Sequence, residues 1–597
     1  MALLPRPIKR PASRPTQRRL TLEALEHRLA PATFTVVNTA DAGAGSLRQA
    51  VLDANARPGA DIVRFARSAQ GAIALTSGEI VISDALAITG PGAAKLAVSG
   101  NDASRVFYVI EGAGEVTLEK LAIVNGRAPT GGGVLNEAGV SLTVRQVVVS
   151  GNRTDGTWPP DGLGGGVYNQ GALTVVGSTF TDNHAEYGGA ISSELEGSSV
   201  TVINSTFTDN QAQSSGAIDV YSSTSLSVIN STFRHNRATG LLDFEGLAAS
   251  GAINALASTV NLDGCEFVNN EAVGAEGFGD AQAYGGAVSV LGDGSPGASL
   301  SVTHCLFSGN KAQSGVGAIV AHSGAMEISN IGEEPLHVTI SHCQFLGNQA
   351  IGGDMAVSGF QGVAWGGGLT VSFGTIVDIS HSTFAGNIAK GGAAGFPGYS
   401  GGLAEGGAII NQGANLTLSH CLIFGNQALG GAGGVGSGGG WGLGGGIFDS
   451  GTTTLIQTMI SCNQAIGGAG GAGGQGGEGM GGGIFLQWGS NFTLDHCVVV
   501  GNLARGGAGG AGGDGGSAKG GAIYSDWYTT LTLSHTLVAT NQAQGGSAGA
   551  GGSAGVGVGG GLYITPNAMA RRDAWTIILG NRASTSNNDV LGSLVVI

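Results

Sequence analysis

The chain has little charge, little proline and no long apolar run, and each shortage excludes a class of protein. Charged residues fill 11% of its 597 positions, where an ordinary globular domain carries roughly a quarter. The apolar share of 42% is near normal, so the chain is no solvated disordered tail. Its 14 prolines follow no Gly-x-y period, which argues against collagen. No stretch of 18 or more apolar residues occurs, so no membrane-spanning helix is expected. The formal net charge is −15, yet the first 19 residues hold six basic side chains and no acid, leaving −21 for the rest. That balance excludes a nucleic-acid-binding body.

What the chain has in excess is glycine: 113 residues, or about 19%, against a usual share of roughly 7%. Such a bias calls for a search for repeats first. The tripeptide Asn-x-Ala recurs with its Asn at 183, 210, 236, 270, 310, 348, 387, 426, 463, 502, 541 and 581. Asn125 and Asn152 resemble degenerate earlier copies. A second motif, small residues followed by an aliphatic, places that aliphatic at Val134, Val167, Ile191, Ile218, Ile253, Val288, Ile319, Leu369, Ile409, Ile447, Ile484, Ile523 and Leu562. Three positions before each Asn the residue is Phe from Phe180 to Phe384, then Ile or Val. Eight before it the residue is again aliphatic, as at Val175, Leu262 and Leu494.

The local period of these columns is two, which means strands, and no part of the repeat shows helical spacing. One strand coil cannot bury its inward side chains alone, but stacked copies bury each column against the next. The fold class is therefore all-β, a right-handed parallel β-helix, with the Asn column as a ladder of turn residues. Residues 1–32 form a basic leader expected to be disordered, 33–130 an N-terminal cap and first coils, 131–583 the repeat, and 584–597 a closing strand. Ser46 is expected to cap a helix over 47–56 that buries Leu47, Ala50, Val51 and Ala54, covering the open end of the sheets.

Early repeats span 26 or 27 residues and later ones about 39, and the surplus of roughly 12 residues carries the glycine. The inserts beginning at Gly430, Gly467, Gly506 and Gly545 share one register and should lie side by side at one corner. Two readings stand: a fringe of flexible loops, or glycine-rich arms packed as extended three-residue left-handed helices.

Residues that carry chemistry are sparse. His304, His342, His381, His420, His496 and His535 all lie six before their Asn, and Cys305, Cys343, Cys421 and Cys497 follow directly. Neighbours in a strand point to opposite faces, and Ser or Thr replaces Cys in other coils, so a stacked small-residue column is expected rather than a zinc site. Free thiols are expected, with Cys462 outside the column. Asp219, Asp378, Asp449 and Asp526 fall on non-neighbouring coils or in different registers, so no catalytic carboxylate group emerges. No catalytic residue, metal ligand or cofactor is assigned. The one candidate binding feature is a row one position after the aliphatic: Phe448, Phe485, Tyr524 and Tyr563, with Tyr168 in an early coil. Alternation turns this row outward, where it binds sugars or a partner, or else is covered by the inserts or by another strand.

The paired motifs, GGA followed by Ile, Leu or Val and Phe-x-x-Asn, resemble the repeats of chlamydial polymorphic outer membrane proteins over about Gly131 to Ala583. Asp41–Phe65, with Gly45-Ser46-Leu47-Arg48-Gln49-Ala50, is similar to the CSLREA-type region that precedes such β-helices. Leu22–Leu29 behind the basic leader resembles an N-terminal motif of large exported planctomycete proteins. The resemblance implies a pectin-lyase-like β-helix, secreted or at the cell surface, with an adhesive or structural role without catalysis. A cell-envelope polysaccharide or surface protein is the partner class it implies. The alternative is a polysaccharide-binding or polysaccharide-degrading protein of that superfamily. The leader has no apolar run of the secretory kind, and no series of barrel strands follows Ile597, so export rests on the resemblance.

Overall fold

The computed structural model describes residues 31–156, 161–240, 247–275, 281–292, 294–316, 320–354 and 362–597. The basic leader and the Leu22–Leu29 motif lie outside the described residues. A single coil shows how the sequence winds. Gln427–Leu429 leads into a glycine-rich insert, which returns as Gly442–Leu443; the chain continues through Ile447–Asp449, Thr452–Ile456 and Met459–Ser461 to Gln464–Ile466, one level further along the axis. Each of these strands pairs in parallel with its equivalents above and below. The described residues form parallel sheets of 32, 16, 14 and 9 strands, in a right-handed parallel β-helix. Sixteen stacked strands at ~4.8 Å give a rod of roughly 70 Å.

The Phe column is the clearest product of this stacking. From Phe180 to Phe384 the rings lie 4.5–5.0 Å apart and nearly parallel, all fully buried. Ile423, Ile460, Val499 and Val538 continue the column in the same core.

The Asn ladder runs beside it. Each Asn Nδ2 donates to the Oδ1 of the next coil and to the carbonyl of the Phe-column residue one coil back, as Asn387 does to Asn426 (2.9 Å) and Phe345 (2.8 Å). Its own Oδ1 accepts from the backbone and side chain of Asn348. Every donor and acceptor that burial would orphan is thus matched. At the last rung Asp589 replaces Asn and accepts both bonds from Asn581.

Three details differ from the sequence reading. The left-handed residue of the bend is the one before the ladder Asn (Asp182, Asp209, His235, Gly386, Gly425), not the Asn itself. Asn125 occupies that bend position with φ 49°, so Gly126 meets Asn152, which heads the ladder. In the aliphatic column the coil between Val288 and Leu369 contributes Met326; Ile319 lies outside the described residues.

At the N-terminal end the helix Leu47–Asn55 buries Leu47, Ala50, Val51 and Ala54, with Ser46 Oγ accepting from the Gln49 N–H at 3.2 Å. At the other end two short strands, Val590–Leu591 and Leu594–Val596, join the long sheet.

The inserts are packed, not loose. The N–H groups of Gly467, Gly470, Gly473, Gly476 and Gly479 donate at intervals of three residues to Arg505, Ala508, Ala511, Asp514 and Ser517 of the next insert. Other glycine N–H groups cross to the returning arm, as Gly477 does to Gly468 and Gly507 to Gly477. A period of three belongs to the polyproline-II type of helix and not to a strand. Only glycine fits the inner positions: a Cβ on Gly468 would sit on the carbonyl oxygen of Gly431, and one on Gly507 on that of Gly468. The third residue of each triplet, such as Ala469, Ala472 and Gln475, is exposed. Each hairpin reverses at a glycine with φ near 80–89°, namely Gly436, Gly473, Gly512 and Gly551.

Candidate functional site

The outward row of the long sheet reads Ser192, Asp219, Asn254, Ser289, Glu327, Thr370, Ile410, Phe448, Phe485, Tyr524 and Tyr563 in successive coils. The aromatics stack at 4.9–5.1 Å between centroids. They are nevertheless covered: Phe448, Phe485 and Tyr524 are buried and Tyr563 is half-buried. The cover is the nine-stranded outer layer formed where the inserts return. Its Leu443 and Met480 pack on the row, making a second core outside the barrel. The stripe packs against the outer layer, which matches the covered one of the two readings of this row and not an open binding face.

The same outer layer becomes polar toward the N-terminus, where Tyr284, His322, Trp365 and Glu405 take the positions of Leu443 and Met480. His322 stacks on Tyr284 at 4.4 Å, meets the edge of Trp365 at 4.8 Å, and places Nδ1 3.6 Å from Glu327 Oε1. Burial pushes the Glu405 carboxyl up to about 7. Asp219, buried, accepts from Ser215 Oγ (2.7 Å) and Asn254 Nδ2 (3.0 Å), and desolvation raises its pKa. Its neighbour Glu194 is raised to about 7 by burial and by the Asp219 charge. The sequence reading placed Asp219 among isolated acids. It missed the pairing because Glu194 lies beyond the short strand Ile191–Ser193, in a turn without a register signal. Asp378 is exposed, and Asp449 ends a strand and points inward, fully buried.

The His and Cys columns diverge as alternation requires, but through a bend. His304, His342, His381, His420, His496 and His535 all adopt φ of 47–55°. This left-handed corner throws the imidazole into solvent while Cys305, Cys343, Cys421 and Cys497 turn into the core. The Cys column is a ladder of small acceptors: the Cys305 N–H meets Cys343 Sγ at 3.5 Å and the Cys343 N–H meets Ser382 Oγ at 3.1 Å. All six thiols are free, and Cys462 is the exposed one. The imidazoles stack in two runs, His304 to His420 at 4.9–5.3 Å and His496 to His535 at 4.5 Å.

Residues 68–331 match the family described as right handed beta helix region. No curated protein is significantly similar to the chain. Among the described residues no helix is long and apolar enough to cross a membrane. The outward row from Ile410 to Tyr524 is buried beneath the outer layer, whereas outward strand positions such as Asp378, Phe424 and Met459, and the bends and turns, stay open to solvent. Exposed Trp488, Trp527 and Tyr528 occupy one such turn, and the imidazole runs another.

Proposed function

We propose that the chain is an extended, non-catalytic scaffold that works outside the cell or at its surface, in a structural or adhesive role. One observation carries the reading: the outward row of the long sheet, the natural place for a ligand groove, is covered by the outer layer and its glycine-rich hairpins. The row's aromatics Phe448, Phe485 and Tyr524 are buried in packing contacts. The resemblance of its GGA and Phe-x-x-Asn motifs to polymorphic outer membrane protein repeats, and of Asp41–Phe65 to the CSLREA-type region, supports export. Fractionation of cells expressing a tagged chain tests this: recovery from medium or envelope is expected, and an exclusively cytoplasmic chain would end the adhesive reading.

A second reading, action on a polysaccharide, is favoured by the Glu194 and Asp219 pair. A carboxyl raised to about 7 beside a second acid suits general acid chemistry. A shallow cavity of about 280 Å³ lies next along the chain, lined by Gly139, Gln170, Leu195 and Gly197 among others. Release of reducing or unsaturated ends from acidic polysaccharides by the native chain, abolished by Glu194→Gln, would establish it; no release by the native chain would remove it.

A further inference from the structure

The second imidazole run differs from the first in having carboxylates around it. His496 Nδ1 lies 2.9 Å from Asp495 Oδ1, and His535 Nδ1 lies 2.9 Å from Asp573 Oδ2. The two rings are parallel at 4.5 Å. Donor atoms of Asp495, His496 and His535 all fall within 4.8 Å of one another. In the first run the residues before His342, His381 and His420 are Ser341, Ser380 and Ser419, and the acid Asp263 meets only the end of the column, at His304.

We propose that Asp495, His496, His535 and Asp573 form a surface site for a divalent transition ion of the zinc class. Two imidazole nitrogens and two carboxylate oxygens are a donor set that suits Zn²⁺, which binds each at about 2.0–2.2 Å in a tetrahedron. Such a tetrahedron separates its donors by roughly 3.3 Å, so the imidazoles must close by about an ångström. Their exposure allows this, with side chains 54% and 44% open to solvent for His496 and His535. Binding would release the Nδ1 protons of both imidazoles to solvent, and Asp573, which reaches His535 at 2.9 Å but stands outside the three-residue cluster, must swing in as the fourth donor. Asp573 is positioned by its neighbours: Oδ2 accepts from the His535 N–H at 3.0 Å and Oδ1 from Thr576 Oγ1 at 2.7 Å. The site joins three successive coils and would tie the C-terminal end of the rod together.

The left-handed bend supplies a well-matched control, because Asn204 and Asn230 occupy the same bend position with φ of 49° and 48°. His→Asn at the corner therefore keeps the backbone. The test is titration of the full-length, tag-free chain with ZnCl₂ by calorimetry, with circular dichroism confirming the fold of each variant. One ion per chain is expected, weakened at least tenfold in His496→Asn and in His535→Asn and unchanged in His342→Asn and His381→Asn. No saturable binding to the native chain, or equal loss in both pairs of variants, would overturn the proposal.

Discussion

Asp449 should make this protein more stable as the pH falls toward 4. The residue stands in an inward-facing column between Asn411 and Leu486 and is fully buried. Its Oδ1 accepts from Asn411 Nδ2 at 2.8 Å and from Thr453 Oγ1 at 2.5 Å. Those bonds favour the anion but do not offset the loss of water: burial carries the carboxyl from 3.8 to about 6. The folded chain thus holds a proton that the unfolded chain releases. Below pH 3.8 the group is neutral in both states and costs nothing. Between 3.8 and about 6 stability declines with rising pH, and above that the full penalty applies. At 1.36 kcal/mol per pKa unit the penalty is about 3 kcal/mol.

Asp449→Asn keeps the acceptor for Asn411 and Thr453 and removes the charge. Urea denaturation of native and variant chains between pH 4 and 8 reads the effect. The variant should gain about 2 kcal/mol on the native chain between pH 4 and pH 7, because part of the penalty is already present at pH 4, whatever offset the amide introduces there. A difference that stays flat across that range would refute the assignment of the cost to this carboxylate.

Amide exchange should find the N–H groups of 467–483 and 506–521 protected, because their three-residue ladder is bonded on both sides; exchange at free-chain rates would show the hairpins to be loose. Asn387→Ala strands the backbone and side-chain N–H groups of Asn348 and the Phe345 carbonyl, while Asn426 Oδ1 keeps the backbone N–H of residue 387, and should cost about 3–5 kcal/mol in urea, from some 1–3 kcal/mol for each buried group left unpaired; a cost under 1 would mean water replaces the rung. Phe485→Ala and Tyr524→Ala should each lose about 3–5 kcal/mol by emptying the second core while leaving glycan adhesion as it was. Lost adhesion at unchanged melting temperature would return the row to the surface.

The elements legible in the sequence are those whose signal is local or strictly periodic. Phe180 to Phe384 repeat in one register, and stacking converts register directly into contact. The helix Leu47–Asn55 carried its own cap and apolar face. The outer layer was legible only as one of two readings of the aromatic row, and its strands were not placed, because it exists only when an insert folds back on the next coil. For that reason the Ala of Asn-x-Ala had no reading. In the structure Ala389 and Ala428 are small so that Ala364 and Ala404 of the outer strands can close on them. The covered aromatic row follows from the same return, which turned an outward position into a buried one. The inward direction of Asp449 was not legible, because the alternation that sets it comes from Ile447 pairing in the long sheet and not from its own neighbours.

The bend ahead of the small-residue column explains where variable chemistry can reside on such a rod. Its occupants are Lys120, Gln146, Gly177, Asn204, Asn230, Gly264, four histidines, Gln457 and two more histidines, all with positive φ. A left-handed residue is restricted sterically, which disfavours β-branched side chains there, and it points away from the core. Any residue that tolerates the backbone can therefore be exchanged at small cost to packing, unlike Phe or Asn one column away. Adjacent coils place those exchanges about 5 Å apart, close enough for like side chains to act together. A row of imidazoles becomes a ligand set where the preceding strand residue also changes from Ser to Asp, as at Asp495. On this fold, then, a new surface activity needs two substitutions in neighbouring columns, while the ladders that hold the coils together stay as they are.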